Sequence, residues 1–262
     1  MPYASVRKDL ALYYEVKGEG LPIVFIHPFV MGKNIFMHQG PLAKKYKIIR
    51  YDLAGHGEST RGSEAVTIRL LAEDLKNLLD QLEIDQAAVC GYSHGGLVAQ
   101  EFALLYPDRT VALILSGGYP KLTTITPKFF IKSVMLMAKA RMIPLAAKLQ
   151  AKLNKYFSED EKDIYDYARK ADAKRVYEYC KAGLEYDSTP ALKRLTMPVL
   201  LLYGSLEKPM HRYGIPFEKQ APNTKVMFID KGTHQLPSRS FSAFNRALDD
   251  FLQEIEKSRA PQ

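Results

Sequence analysis

Cysteine is scarce in this chain of 262 residues, which has only Cys90 and Cys180. Each lies in an apolar or helical setting without a second cysteine nearby. Neither a disulfide framework nor a paired-thiolate metal site is expected, and a reducing intracellular setting fits. Long apolar runs are missing too. None reaches the roughly 18 residues of a spanning helix, and the opening Met1-Pro2-Tyr3-Ala4-Ser5-Val6-Arg7-Lys8-Asp9 has no apolar stretch behind a basic start, as an export signal would have. A cytoplasmic protein is therefore expected. With 47% hydrophobic and 25% charged residues, and no repeat or low-complexity tract, the chain has the apolar content for a core. Its length fits one large domain, or a core carrying an insertion, better than two independent domains.

Negative charge is absent from one stretch. Residues 121–155 hold eight basic side chains (Lys121, Lys128, Lys132, Lys139, Arg141, Lys148, Lys152 and Lys155) and no acidic one. Residues 120–195 carry sixteen Lys or Arg against nine Asp or Glu, a net of +7 out of +8 for the whole chain; the remainder carries twenty-one against twenty. The basicity thus belongs to one segment. No DNA- or RNA-binding motif accompanies it, so nucleic acid is not an expected partner.

Short strands are predicted at Ser5–Arg7 and Leu10–Val16. Pro22–His27 and Tyr46–Tyr51 read as strands buried on both faces. Ile68, Leu71, Leu75, Leu78, Leu79 and Leu82 have helical spacing within Thr67–Leu82. Ala87–Gly91 and Val111–Ser116 read as strands around a helix at Gly95–Tyr106, and a later series has strands at Pro198–Tyr203 and Thr224–Ile229 before a terminal helix at Phe241–Glu256. Strands alternating with helices imply an α/β fold, a mostly parallel sheet covered by helices on both faces. Between Tyr119 and Leu195 only helical patterns remain. The expected organisation is a core of residues 1–119 and 196–262 with an all-helical insertion, about four helices, over 120–195. Within it Ser158-Glu159-Asp160-Glu161 matches a capping box and Asp172 a cap for Ala173–Leu184.

The chemistry centres on Gly91-Tyr92-Ser93-His94-Gly95, which lies between a buried strand and a helix. A sharp strand-to-helix turn strains the backbone of its central residue, and glycines two places before and after relieve the crowding. A serine hydroxyl needs a base within hydrogen-bond reach, and that base is oriented by a carboxylate. Of six histidines, His234 lies in the loop after the last strand, at the sheet edge where open α/β sheets build sites. Glu207, in the loop after Pro198–Tyr203, is the candidate acid. Asp230 is its rival by proximity to His234, although four positions before the base it is poorly placed to reach the far ring nitrogen. The order Ser93, Glu207, His234 is nucleophile, acid, base. No His or carboxylate cluster has metal-ligand spacing, so neither metal nor cofactor is expected.

On these residues, on Pro22–Phe29 and on Asp52-Leu53-Ala54-Gly55-His56-Gly57-Glu58-Ser59, the chain resembles the α/β-hydrolase superfamily, as a serine esterase-like member with a helical cap. The likeness runs over nearly the whole length and is loosest in residues 120–195. It implies that the backbone N–H groups of Phe29 and His94 form the oxyanion hole. It also implies supporting roles for His27, Asp52 and His56. Ser at position 93 argues against the superfamily's dehalogenases and epoxide hydrolases, which use an aspartyl ester. Two residues depart from the usual pattern: Pro28 stands where Gly is common, implying a stiffer oxyanion turn, and Glu207 where Asp is common.

The resemblance implies a carboxylesterase. Aminopeptidase, lactone, thioester or C–C bond hydrolysis, and a slow hydrolase-like ligand sensor, remain alternatives. An aminopeptidase would draw on insertion carboxylates such as Glu159, Asp160, Glu161 and Asp163. In residues 127–157 large apolar side chains alternate with the basic set at near-helical spacing. They either pack on the core, with solvated lysines, or form an amphipathic surface for an anionic membrane or anionic substrates. Met135, Met137, Met142, Phe129, Phe130 and the insertion tyrosines Tyr156, Tyr165, Tyr167, Tyr177 and Tyr179 are candidates to line a pocket for a small-molecule substrate with a hydrophobic part.

Overall fold

The computed structural model describes residues 2–259; Met1 and residues 260–262, the ends of the two expected core segments, lie outside the described residues. The strands are β1 (Tyr3–Arg7), β2 (Leu10–Lys17), β3 (Pro22–Ile26), β4 (Lys47–Tyr51), β5 (Ala87–Tyr92), β6 (Thr110–Ser116), β7 (Val199–Gly204) and β8 (Thr224–Ile229). They form one sheet in the order β1-β2-β4-β3-β5-β6-β7-β8. β1, β2 and β4 pair antiparallel, and every later pairing is parallel.

Burial explains the central strands. β5, β6 and β7 are buried at every position, as strands covered on both faces must be. Val89 and Leu113 face one core cluster while Cys90 and Ile114 face the other, following the two-residue period of a strand. Both cysteines are buried and unpaired.

The helices are α1 (Ile68–Gln81), α2 (Gly95–Leu105), α3 (Ile125–Lys139), α4 (Ile143–Asn154), α5 (Ser158–Ala168), α6 (Ala173–Glu185), α7 (Lys208–His211), α8 (Gly214–Gln220), α9 (Leu236–Arg239) and α10 (Phe241–Arg259). Thr67 caps α1 by accepting from Leu70 N–H at 3.0 Å. Between β6 and β7 there are four α-helices, α3 to α6, and no strand. Val134, Ala147, Ala168 and Val176 join them to the main core cluster.

Asp172 caps α6, accepting from Arg175 N–H at 3.0 Å. The capping box expected on Ser158 is displaced by one residue. α5 begins at Ser158 with Phe157 as its cap, and Asp160 accepts from Phe157 N–H at 2.9 Å and Tyr156 N–H at 3.0 Å. Phe157 has no side-chain acceptor to return the bond. Asp160 alone therefore serves this helix start, which suits a carboxylate at the positive end of a helix.

Candidate active site

The parallel strands all deliver their following loops to one edge of the sheet, as β-α-β crossovers require. Ser93 follows β5 with φ +52, a left-handed conformation for a non-glycine residue. That turn is possible because its neighbours are small. A β-carbon on Gly95 would stand 2.2 Å from the Ile26 carbonyl oxygen, and one on Gly91 2.5 Å from the Cα of Gly96. The Ser93 N–H donates to Ser116 O at 2.7 Å, which pins the turn to the end of β6.

His234 and Glu207 meet because their loops are stitched together. Ser205 N–H donates to Ile229 O at 2.9 Å and Leu206 N–H to Gly232 O at 3.0 Å. The Ser93 hydroxyl donates to His234 Nε2 at 2.8 Å. On the other side of the ring, Nδ1 lies 2.5 Å from Glu207 Oε1. That approach lies off the N–H axis, and Glu207 Oε2 takes no hydrogen bond from the described residues. Proximity and charge, more than alignment, couple the pair. Asp230 is exposed at the end of β8 and makes no bond to the ring.

Phe29 and His94 are brought together, their rings 4.9 Å apart and edge to face. Among the described residues neither backbone N–H donates a hydrogen bond within the protein. Two unpaired amides beside Ser93 are what an incoming oxyanion would use. The bend before them is held by a neutral imidazole: Leu53 N–H donates to His27 Nε2 at 2.9 Å, so Nδ1 carries the proton and donates to Pro28 O at 2.8 Å. The unusual backbone angle in this turn falls on Val30, at φ +72, rather than on Pro28.

The remaining histidines are taken up by structure. The His94 ring accepts from the Tyr119 hydroxyl at 2.8 Å and donates to Tyr179 O at 3.0 Å, tying the elbow to α6. His56 Nδ1–H donates to Ala54 O at 3.1 Å. Burial pushes the pKa of His27 and His94 down to about 4 and that of His56 to about 3. His38 pairs with Asp160 at 3.1 Å, and His211 donates to Gly204 O at 2.8 Å. Asp52 accepts from Lys33 N–H at 2.7 Å, Glu58 N–H at 3.1 Å and the Tyr167 hydroxyl at 2.5 Å, joining its turn to α5. Among the described residues no three His, Cys, Asp or Glu side chains converge as metal ligands would.

A cavity of about 290 Å³ opens over Ser93 and His234. The core contributes Phe29, Met31, Tyr92 and Met210, and the helices above contribute Phe130, Ile131 and Leu153. Of the side chains expected to line it, Phe130 does; Met135, Met137, Met142, Phe129 and the tyrosines of the insertion do not. Glu159, Asp160, Glu161 and Asp163 also lie outside its wall.

Three residues of the site carry no signal in the sequence. Asn154 accepts from the Tyr92 hydroxyl at 3.2 Å and donates to Gln150 O at 3.0 Å, clipping α4 to the core. The Gln150 side chain, 6% exposed, borders the cavity and makes no hydrogen bond among the described residues. Gly117, at φ +60, packs against the His234 ring. Gln150 and Asn154, four residues apart, lie on the buried face of α4.

The chain is 30% identical over 210 residues to 3-oxoadipate enol-lactonase 2 of Acinetobacter baylyi, covering 76% of each chain. It is 28% identical over 255 residues to a pimeloyl-(acyl-carrier protein) methyl ester esterase of Legionella pneumophila, covering 92% of this chain and 99% of that one. An esterase from Exiguobacterium antarcticum shares the fold with a TM-score of 0.85 at 18% identity, over 96% of this chain and 98% of that chain. The family model described as alpha/beta hydrolase fold matches residues 22–237. The strand order, the elbow at Ser93 and that match together make this chain a member of the alpha/beta hydrolase fold family.

Proposed function

We propose that this protein is a cofactor-independent serine hydrolase of carboxylic esters, cyclic esters included, whose acyl or alcohol part is hydrophobic. The observation that carries the reading is the series Ser93, His234, Glu207 at the floor of an apolar cavity, with Ser93 hydrogen-bonded to His234 Nε2 and the Glu207 carboxylate against the far side of the ring. In the first step Ser93 Oγ attacks the acyl carbon and its proton passes to His234 Nε2. The carbonyl oxygen takes the negative charge and is held by the N–H groups of Phe29 and His94; one such donor contributes about 10² to 10³ in rate. Collapse of the intermediate expels the alcohol, which leaves with the proton held on His234. Water, deprotonated by His234, then attacks the acyl-enzyme, releasing the acid and restoring the Ser93 hydroxyl. Glu207 orients the ring and stabilises its cationic form.

The substrate class draws support from two directions. The wall around Ser93 is built chiefly from aromatic and aliphatic side chains, and relatives bear the names enol-lactonase and methyl ester esterase. An aminopeptidase needs a carboxylate to hold the substrate's amine; Glu207, already against His234, is the one acidic residue among those lining the cavity.

The test is fluorophosphonate labelling followed by a p-nitrophenyl ester series of rising chain length. Labelling that disappears in Ser93→Ala, together with multiple turnovers that rise with chain length until the cavity is filled, is expected. Labelling that survives Ser93→Ala contradicts the nucleophile, and labelling without turnover favours a ligand sensor.

A further inference from the structure

A helix that packs one face on a core leaves outward positions every three or four residues, and these are ordinarily polar. α3 departs from this. Its inward residues include Ile131, Val134 and Ala138, while its outward series runs Ile125, Phe129, Lys132, Leu136, Lys139. Ile125, Phe129 and Leu136 are 84%, 72% and 69% exposed.

α4 repeats the arrangement. Ile143, Ala146, Ala147 and Ala151 turn inward, and Leu145, Leu149 and Leu153 are exposed, with Lys148 and Lys152 among them. Met142 in the connecting turn, and Tyr156 and Phe157 after α4, are exposed as well. Packing of the large apolar side chains on the core therefore holds for Val134 and Ile143, and in part for Phe130, Met135 and Met137, but fails for Phe129, Leu145, Leu149, Leu153 and Phe157. Small residues fill the inward positions where α4 lies against α5, so the leucines have no place there.

The charges on this surface are also uncommitted. Lys155 pairs with Glu161 and Lys121 with Asp187. Among the described residues Lys128, Lys132, Lys139, Arg141, Lys148 and Lys152 make no salt bridge with an acidic side chain. A large apolar surface in contact with water is unfavourable and marks an interaction site.

We propose that the outward faces of α3 and α4 dock onto an anionic phospholipid membrane, with the large apolar side chains entering the interface and the unpaired cations facing the headgroups. Aromatic and leucine side chains interleaved with lysine, without acid, are the composition of helices that lie in a membrane surface. A second copy of the chain would set two cationic faces against each other, which disfavours it as occupant. Leu153 belongs both to this surface and to the cavity wall, so docking brings the cavity's rim to the lipid.

The experiment is co-sedimentation of the whole protein with vesicles of phosphatidylcholine alone and of phosphatidylcholine mixed with phosphatidylglycerol. The mixed vesicles should bind at low salt and release the protein as salt rises. Each of Lys132→Gln, Lys139→Gln, Lys148→Gln and Lys152→Gln should weaken partitioning about fivefold. Phe129→Ser, Leu136→Ser, Leu145→Ser and Leu149→Ser should each weaken it about tenfold, with circular dichroism and hydrolysis of a water-soluble short ester unchanged.

Absence of binding to the mixed vesicles at low salt overturns the proposal. So does binding indifferent to all four serine variants, which would be a headgroup attraction without docking. A dimer in sedimentation velocity that Leu145→Ser dissociates, without vesicle binding, assigns the face to a second copy instead. Vesicle binding is read without turnover and so succeeds or fails separately from the hydrolytic assignment.

Discussion

A β-carbon on Gly117 would stand 2.6 Å from Cε1 and 2.8 Å from Nδ1 of His234. The chain leaves β6 at this point, with the Gly117 N–H donating to Leu202 O at 2.8 Å, and the imidazole lies directly against its backbone. The ring keeps its position between Ser93 and Glu207 because residue 117 has no side chain. Gly117→Ala should therefore displace the base. We expect kcat for a p-nitrophenyl ester to fall about 100-fold, with about 1 kcal/mol of stability lost from the left-handed backbone. Unchanged kcat in a folded variant would contradict this.

The choice of acid is tested by a pair of isosteric changes. Glu207→Gln should lower kcat about 10³ to 10⁴-fold, by the loss of the charge that orients and stabilises the imidazolium. Asp230→Asn, at an exposed position without contact to the ring, should leave kcat within about twofold. Steady-state kinetics with one ester decides between them, and the reverse ranking would move the acid to Asp230.

Three buried neutral histidines predict the pH dependence of stability. Burial lowers the pKa values of His27, His94 and His56 from 6.5 to about 4, 4 and 3. The unfolded chain binds protons below about pH 6.5 that the folded chain does not accept. Stability is therefore full above that pH and is lost as pH falls toward 4, at about 1.4 kcal/mol per pH unit for each histidine. Asp74, raised by burial from 3.8 to about 6, works in the opposite direction between those values and offsets roughly one histidine. Urea midpoints at about pH 7.5 and about pH 5 measure the net loss. His56→Gln should reduce the slope by about one proton; an unchanged slope would show that His56 is not buried neutral.

Gln150 offers a test of substrate polarity. Its carboxamide borders the cavity without a hydrogen-bond partner among the described residues, so Gln150→Met, similar in volume, removes a polar group that only cavity solvent or a bound substrate can satisfy. The melting temperature should stay level or rise. The ratio of kcat/KM for a keto-substituted hexanoate ester to that for the plain hexanoate should drop about five- to tenfold. A lower melting temperature with an unaltered ratio would make the residue purely structural.

Much of the fold is legible in the chain before any coordinates. The strands read at Thr224–Ile229 and Val111–Ser116 and the helix read over Thr67–Leu82 each became the expected element to within a residue. Apolar period and strand length are local properties that survive in the tertiary context. The start of α5 was displaced because the Asp160 carboxylate accepts from the N–H groups of Tyr156 and Phe157, while the Ser158 hydroxyl donates to Glu159 and caps nothing; where the chain from Tyr156 approaches is a tertiary matter.

The sequence by itself determined the parts of the candidate site: a serine in a glycine-flanked turn, a histidine in the loop after β8, and a carboxylate in the loop after β7. Turn sterics and strand order are encoded within a few residues, so these were readable. Tertiary structure decided which residues meet. It set Glu207, not Asp230, against His234, closed Gly117 onto the imidazole, and turned Gln150 inward and the leucines of α4 outward. Those choices depend on which neighbour occupies the space beside a residue, and that is a property of packing between segments far apart in the chain.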